Sequence, residues 1–190
     1  MIIFKDIGFV HIPKTAGESI RTTILESGND SYYMGKVWNP EEDIKSNNNR
    51  YRPHYPPHLI KPFLSPELKL VTCVRNPWDR YVSWYGWHCQ YRGVAKSWDD
   101  FLTSILDETD PKRVTSQGEF LEGVDWELII QFESLEKGWR KFQTLSGITS
   151  ELPKMNQSER GNYRDYYTER TQHQVAEKEK EVIKKFNYTF

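Results

Sequence analysis

Ile7-Gly8-Phe9-Val10-His11-Ile12-Pro13-Lys14-Thr15-Ala16-Gly17-Glu18-Ser19-Ile20 runs from apolar to small and polar within fourteen residues. The apolar half, Ile7 to Ile12, is closed by Pro13 and reads as a buried strand, and the helical pattern of Ser19 to Glu26 follows directly. A strand feeding a loop and then a helix is the opening unit of an α/β fold. The same grammar recurs at Leu70 to Val74, closed by Arg75-Asn76-Pro77 and followed by a helix over Asp79 to Tyr91, with Asn76 as N-cap and Pro77 at the first helical position. Leu128 to Phe132 is a third short apolar run. None of the three alternates, which predicts a central parallel sheet covered on both faces and flanked by helices.

The intervening and following segments have helical spacing. Ser97 caps a helix over Trp98 to Leu106, with Asp100 in capping-box position; Leu135, Trp139, Phe142 and Leu145 form a core-facing stripe, as do Val175, Val182, Ile183 and Phe186. Glu177-Lys178-Glu179-Lys180-Glu181 reads as a solvated helix face.

The chain has 190 residues, which suits one domain spanning 1–190 with one site. Its 26 basic and 27 acidic residues nearly cancel, which argues against nucleic acid as a partner while leaving room for a local basic pocket. Seven Trp, 11 Tyr and 9 Phe supply large rings for the core and exclude disorder throughout. Cys73 and Cys89 cannot make a disulfide framework and read as reduced, cytoplasmic thiols. No signal peptide or membrane span is evident, so no membrane association is expected. No His, Cys, Asp or Glu grouping has metal-ligand spacing.

In α/β sheets ligands gather at the carboxyl ends of strands, which selects residues 13–19 and 75–83. The first loop has the parts of an anion cradle: Ala16 and Gly17 are small enough for close backbone approach, Lys14 brings charge, and Thr15 and Ser19 bring hydroxyls at a helix amino terminus. An ordinary strand-to-helix turn is the competing interpretation. The nucleotide-kinase pattern G-x-x-x-x-G-K-[ST] does not fit, because the lysine here precedes the glycine. In the second loop Arg75 leaves a buried strand and needs an anionic partner, and Ser83 lies two turns into the following helix. Arg80 reads as a surface charge or an internal salt bridge.

Pro13-Lys14-Thr15-Ala16-Gly17-Glu18-Ser19 resembles the 5′-phosphosulfate loop of the sulfotransferase superfamily, and Arg75-Asn76-Pro77-Trp78-Asp79-Arg80 with Ser83 and Tyr85 resembles its 3′-phosphate motif. The likeness is greatest to the carbohydrate branch that includes the heparan 2-O-sulfotransferases. It continues through Gln131-Phe132-Glu133-Ser134-Leu135 and the closing segment from Pro153 to Phe190. The resemblance implies a P-loop-related sulfotransferase fold and the donor 3′-phosphoadenosine 5′-phosphosulfate (PAPS), with PAP as product and no metal. Carried over by position, Lys14, Thr15, Ala16, Gly17 and Ser19 would hold the 5′-phosphosulfate, Arg75 and Ser83 the 3′-phosphate, and Arg160 a second contact to it. Arg160 and Arg164 read equally well as solvated loop charges. Glu18 stands where many relatives have Thr, and a carboxylate there is expected to point away from the anion.

Sulfuryl transfer needs in-line positioning and neutralisation of the leaving phosphate, which assigns Lys14 a catalytic role. The acceptor hydroxyl needs a base, and histidine titrates in the right range. Among His11, His54, His58, His88 and His173, the resemblance favours a histidine between the two anion motifs. His54 fits better than His58, since Leu59-Ile60-Lys61 reads as the continuation; a surface loop with two titrating histidines is the alternative. Arg50, Arg52 and Lys61 beside Trp38, Tyr51 and Tyr55 suit a hydroxylated acceptor such as a saccharide. Two rivals remain: a P-loop-type kinase, whose magnesium-binding carboxylate could only be Glu133, and a nucleotide-binding family member without transferase activity. The short lead into the first strand suits a bacterial or viral enzyme.

Overall fold

A computed structural model describes residues 1–28, 31–33, 57, 64–92, 97–107, 115–153 and 160–190. They divide into two compact units: Met1–Val74 with Phe120–Asn156, and Arg75–Glu119 with Gln157–Phe190.

The first unit is built on a five-stranded sheet of β1 (Ile2–Phe4), β2 (Ile7–Val10), β3 (Ser31–Tyr33), β4 (Lys69–Val74) and β5 (Trp126–Gln131), in the order β3-β1-β2-β4-β5. The predicted parallel sheet is its larger part: β2, β4 and β5 are parallel, with Val10 opposite Thr72 and Cys73 opposite Ile130. The expectation is corrected at one edge, where β1 pairs antiparallel with both β2 and β3. A two-residue turn, Lys5-Asp6, joins β1 to β2 with Lys5 at a φ of 53°. Hairpin turns of that kind are usually signalled by Asn or Gly, and neither is present.

Helix α1 (Gly17–Glu26) follows β2 and buries Ile20, Thr23 and Ile24, one stripe at helical spacing. Their partners in the core include Ile2, Phe4, Phe9, Val71, Cys73 and Ile130. The stripe predicted from Leu135 to Leu145 lies on a helix at Leu135–Ser146, where Trp139 and Phe142 stack at 5.0 Å and Trp139 donates its indole N–H to Ser150. Gly138 on that helix lets it lie directly on β5, since a Cβ there would come within 2.4 Å of Ile130 Cγ2. The 3₁₀ turn Phe132–Ser134 links β5 to this helix.

The second unit is helical: α2 (Pro77–Arg92), α3 (Trp98–Leu106), α4 (Gln117–Leu121, which runs into the first unit), and, after the helix just described (α5), α6 (Glu169–Lys178) and α7 (Lys180–Phe186). Both predicted caps are formed. The Asp79 N–H donates to Asn76 Oδ1 at 3.3 Å, and the Asp100 N–H to Ser97 Oγ at 3.2 Å. Trp78, Tyr81, Phe101, Leu102, Ile105 and Val175 form the core, with Phe190 edge-on to Trp78, Tyr163 and Tyr167.

One assignment is overturned. Glu179 is not part of a solvated face: the chain breaks between α6 and α7 at this residue, which turns its side chain inward to 1% exposure. No described helix is long and apolar enough to cross a membrane.

Candidate functional site

Because β2 and β4 are parallel neighbours, their carboxyl ends share one edge of the sheet, where the Thr72 hydroxyl also donates to Val10 O at 2.9 Å. The loop leaving β2 there has an unusual backbone. Lys14 and Ala16 both adopt left-handed φ, 68° and 64°, on either side of Thr15. For non-glycine residues this costs about 1–2 kcal/mol each, and a backbone alternating in this way forms a concavity lined by N–H groups, which suits an anion. Ala16 is the N-cap of α1, so the unpaired N–H groups of the first helical turn open onto the same loop.

The side chains divide the work. Thr15 is fully buried and donates its hydroxyl to Ile12 O at 2.8 Å, which ties the loop to the strand end and leaves the oxygen able to accept only. Ser19 is buried in the first turn of α1, Lys14 is half-buried, and Glu18 faces Arg21, accepting from its Nε at 2.8 Å. Glu18 is thus partly exposed and paired along α1 with Arg21. Gly17 is required for a reason that small size alone did not disclose: a Cβ on it would fall 1.7 Å from Cδ2 of the buried His11 ring. His11 stacks on Phe9 with centroids 6.3 Å apart, so it serves as the floor of the loop.

In the second unit, Arg75 is 7% exposed and directs its guanidinium at Asp79, with Nε donating at 2.8 Å and an NH2 contact at 2.6 Å to the same carboxylate oxygen. The other oxygen of Asp79 meets Arg160 at 2.5 Å. Two arginines on one carboxylate leave a net positive charge in a largely buried setting, and their planar forks suit a phosphate. Ser83, buried, follows Asp79 by one helical turn of α2 and so shares its face. Arg160 is thus an ion-paired residue, whereas Arg164 lies over the Tyr163 ring at 4.6 Å.

The second unit also holds a buried polar network, in which Arg80 takes the second of its two expected roles, an internal salt bridge, with Glu179 and Gln117 as members the sequence pattern does not announce. Arg80 is fully buried and donates to Glu179 Oε1 at 2.8 Å and to Thr115 O at 3.2 Å; Tyr81 donates its hydroxyl to the same Glu179 oxygen at 3.3 Å. The second oxygen of Glu179 accepts the Gln117 N–H at 2.9 Å. Burial pushes the Glu179 carboxyl up from its ordinary value, while Arg80, the Gln117 N–H and the Tyr81 hydroxyl pull it down. Burial also raises Tyr81, so its phenol stays a donor. A legible signal did exist: Ser116-Gln117-Gly118-Glu119 is a capping box, with the Ser116 N–H donating to Glu119 Oε2 at 2.9 Å and the Glu119 N–H to Ser116 Oγ at 3.1 Å.

His54 and His58, with Trp38, Arg50, Tyr51, Arg52, Tyr55 and Lys61, lie outside the described residues. His173 is exposed on α6, and His88 packs against Phe101. Glu133 is exposed on its 3₁₀ turn.

A sequence model described as "Sulfotransferase family" matches residues 4–189, nearly the whole chain and both compact units. Among solved structures, the fold is similar to that of the mouse sulfotransferase SULT7A1 complexed with PAP, with a TM-score of 0.54 at 15% identity, covering 92% of this chain and 83% of that one. No curated protein matches the chain in sequence.

Proposed function

The chain belongs to the sulfotransferase family, and on that premise we propose that it moves a sulfuryl group from PAPS to a hydroxyl of a saccharide, acting as one domain over residues 1–190. The observation that carries the donor assignment is the left-handed pair Lys14 and Ala16 at the amino terminus of α1, a backbone arrangement with no purpose in a plain turn and a direct one around an anion. The doubly charged 3′-phosphate finds its match in Arg75 and Arg160 on Asp79, with Ser83 one turn away. The PAP bound to the mouse relative is consistent with the same donor.

Bound PAPS supplies the activated sulfuryl group. The backbone N–H groups from Lys14 to Gly17 and the Ser19 hydroxyl would hold the phosphosulfate, and the Lys14 ammonium would stabilise the charge that grows on the leaving phosphate. His54 takes the proton of the acceptor hydroxyl as its oxygen bonds to sulfur. Cys73 and Cys89, which form no disulfide with each other, fit a reducing, cytoplasmic compartment.

Thermal stabilisation by PAP, compared with ATP and magnesium, tests the donor assignment, since a ligand that binds only the folded state raises its apparent stability. PAP is expected to stabilise and ATP not to; the reverse would overturn the donor assignment. A screen of acceptors with labelled PAPS then tests the transfer. Incorporation into a saccharide is expected, and loss of it in His54→Ala with PAP affinity intact identifies the base. Activity retained in His54→Ala and lost in His58→Ala would reassign the role.

A further inference from the structure

Arg75 is the first residue beyond β4, where the ladder to β5 ends with Val74 opposite Gln131. Its backbone N–H and C=O are therefore buried groups that have left the sheet and still need partners. One side chain meets both. Gln117 Oε1 accepts the Arg75 N–H at 2.9 Å, and Gln117 Nε2 donates to Arg75 O at 2.9 Å. One carboxamide thus satisfies both main-chain groups of Arg75.

Gln117 is itself immobilised. It is fully buried, its N–H is held by Glu179 at 2.9 Å, and Glu179 is held in turn by Arg80 and Tyr81. Arg75 is thus clamped twice, through its backbone by Gln117 and through its guanidinium by Asp79. A packing residue needs only volume. A carboxamide matched donor to acceptor against a single residue's main chain instead fixes that residue's orientation, and a charged group that recognises a phosphate through a planar fork is sensitive to orientation.

We infer that Gln117 is a positioning residue for the 3′-phosphate, acting through the backbone of Arg75. The inference rests on the reading that Arg75 takes that phosphate. Its consequence is specific: loss of the Gln117 carboxamide weakens ligands that carry the 3′-phosphate and leaves the same nucleotide without it unaffected.

The test is calorimetric titration of the full chain with PAP and with 5′-AMP, well below each variant's melting temperature, in wild type, Arg75→Ala, Gln117→Met and Gln117→Glu. Met fills the volume and removes both contacts; Glu keeps the acceptor for the Arg75 N–H and replaces the donor, so it carries the comparison should the Met variant not fold. Wild type and Arg75→Ala establish the preference for PAP and its loss. Both Gln117 variants are expected to lose about tenfold or more in PAP affinity with 5′-AMP unchanged, a difference of about 1.4 kcal/mol or more. If Arg75→Ala loses the preference while the Gln117 variants keep it, or if they lose both nucleotides equally, the positioning role is overturned and the assignment of Arg75 stands. If wild type does not prefer PAP over 5′-AMP, the donor reading falls and the inference with it.

Discussion

The two proposed anion sites are built by different means. In the first unit the loop from Pro13 to Ser19 is shaped by backbone strain and steric fit: two left-handed non-glycine residues, a hydroxyl tied to Ile12 O, and a glycine whose missing Cβ is occupied by His11. In the second unit Arg75, Asp79 and Arg160 are held by ion pairs that rest on a second layer of buried charge, Arg80 with Glu179. A backbone site is preformed and tolerates little change in volume. A side-chain site tolerates volume but depends on every charge having its partner, because an unpartnered buried ion is costly. The first kind suits a reacting group, where a small misplacement is expensive; the second suits an anchoring phosphate.

The contrast predicts where each unit breaks. The largest effect is expected at Glu179→Ala, which leaves the Arg80 guanidinium buried without its anion at 0% exposure. Removing one partner of such a pair costs about 3–5 kcal/mol. Chemical denaturation is expected to show this loss, and Glu179→Gln a smaller one because the carboxamide still accepts from the Gln117 N–H. A variant as stable as wild type would mean that the second unit is held by its aromatic core alone.

Next comes Lys14→Ala. It removes a half-buried ammonium, and turnover should fall by about 10²–10³-fold, the usual effect of deleting a donor aimed at developing charge. Steady-state rates with saturating PAPS measure it, and near wild-type turnover would remove Lys14 from the chemistry. Smaller in free energy is Gly17→Ala, which forces the new methyl against His11 and should cost about 1–3 kcal/mol, as overpacking does. Here stability and donor binding should fall together, and Gly17→Ala combined with His11→Ala should recover part of both. An unaffected single variant would show that His11 moves aside freely.

How far these features could be read beforehand follows from the same contrast. Three parallel strands, the caps at Asn76 and Ser97, and both strand-end loops are written in local residue types, and all lie where the pattern puts them. Lys14 and Arg75 lie in the segments that follow β2 and β4, where the residue pattern puts them, although an ordinary strand-to-helix turn reads the same way at Lys14. Glu179 was not legible, since it sits among alternating charges that read as solvated, and only a break in the helix 99 residues after Arg80 turns it inward. Its partner carried a faint signal: Arg80 precedes Tyr81 and Val82, both buried, in a helix with little room for an unpaired cation. For Gln117 the local pattern marks only a helix start, because its carboxamide meets the backbone of a residue 42 positions away. β1 and β3 are three residues each, too short for any alternation to register.

The smallest effect is expected at the exposed pair Asp6 and Lys69, 2.8 Å apart where the β1–β2 turn meets the start of β4. It is the surface counterpart of the Arg80 pair and sharpens the comparison by its weakness. The hydrogen bond from Lys69 holds the Asp6 carboxyl below its ordinary value of 3.8, with the Lys69 and Lys5 charges adding to it. A carboxyl lowered in the folded state gives stability that is fully present above its unfolded value and disappears as pH falls through the folded one. Wild type should therefore exceed Asp6→Asn slightly in melting temperature near neutral pH. That difference should shrink to nothing on acidification below the carboxylate range, and also in about 1 M salt, where the Debye length is roughly 3 Å. A difference that survives salt would mean that the Asp6 side chain matters for the turn itself, whose backbone is already tied to β4 by the Lys69 N–H to Asp6 O bond of 2.9 Å.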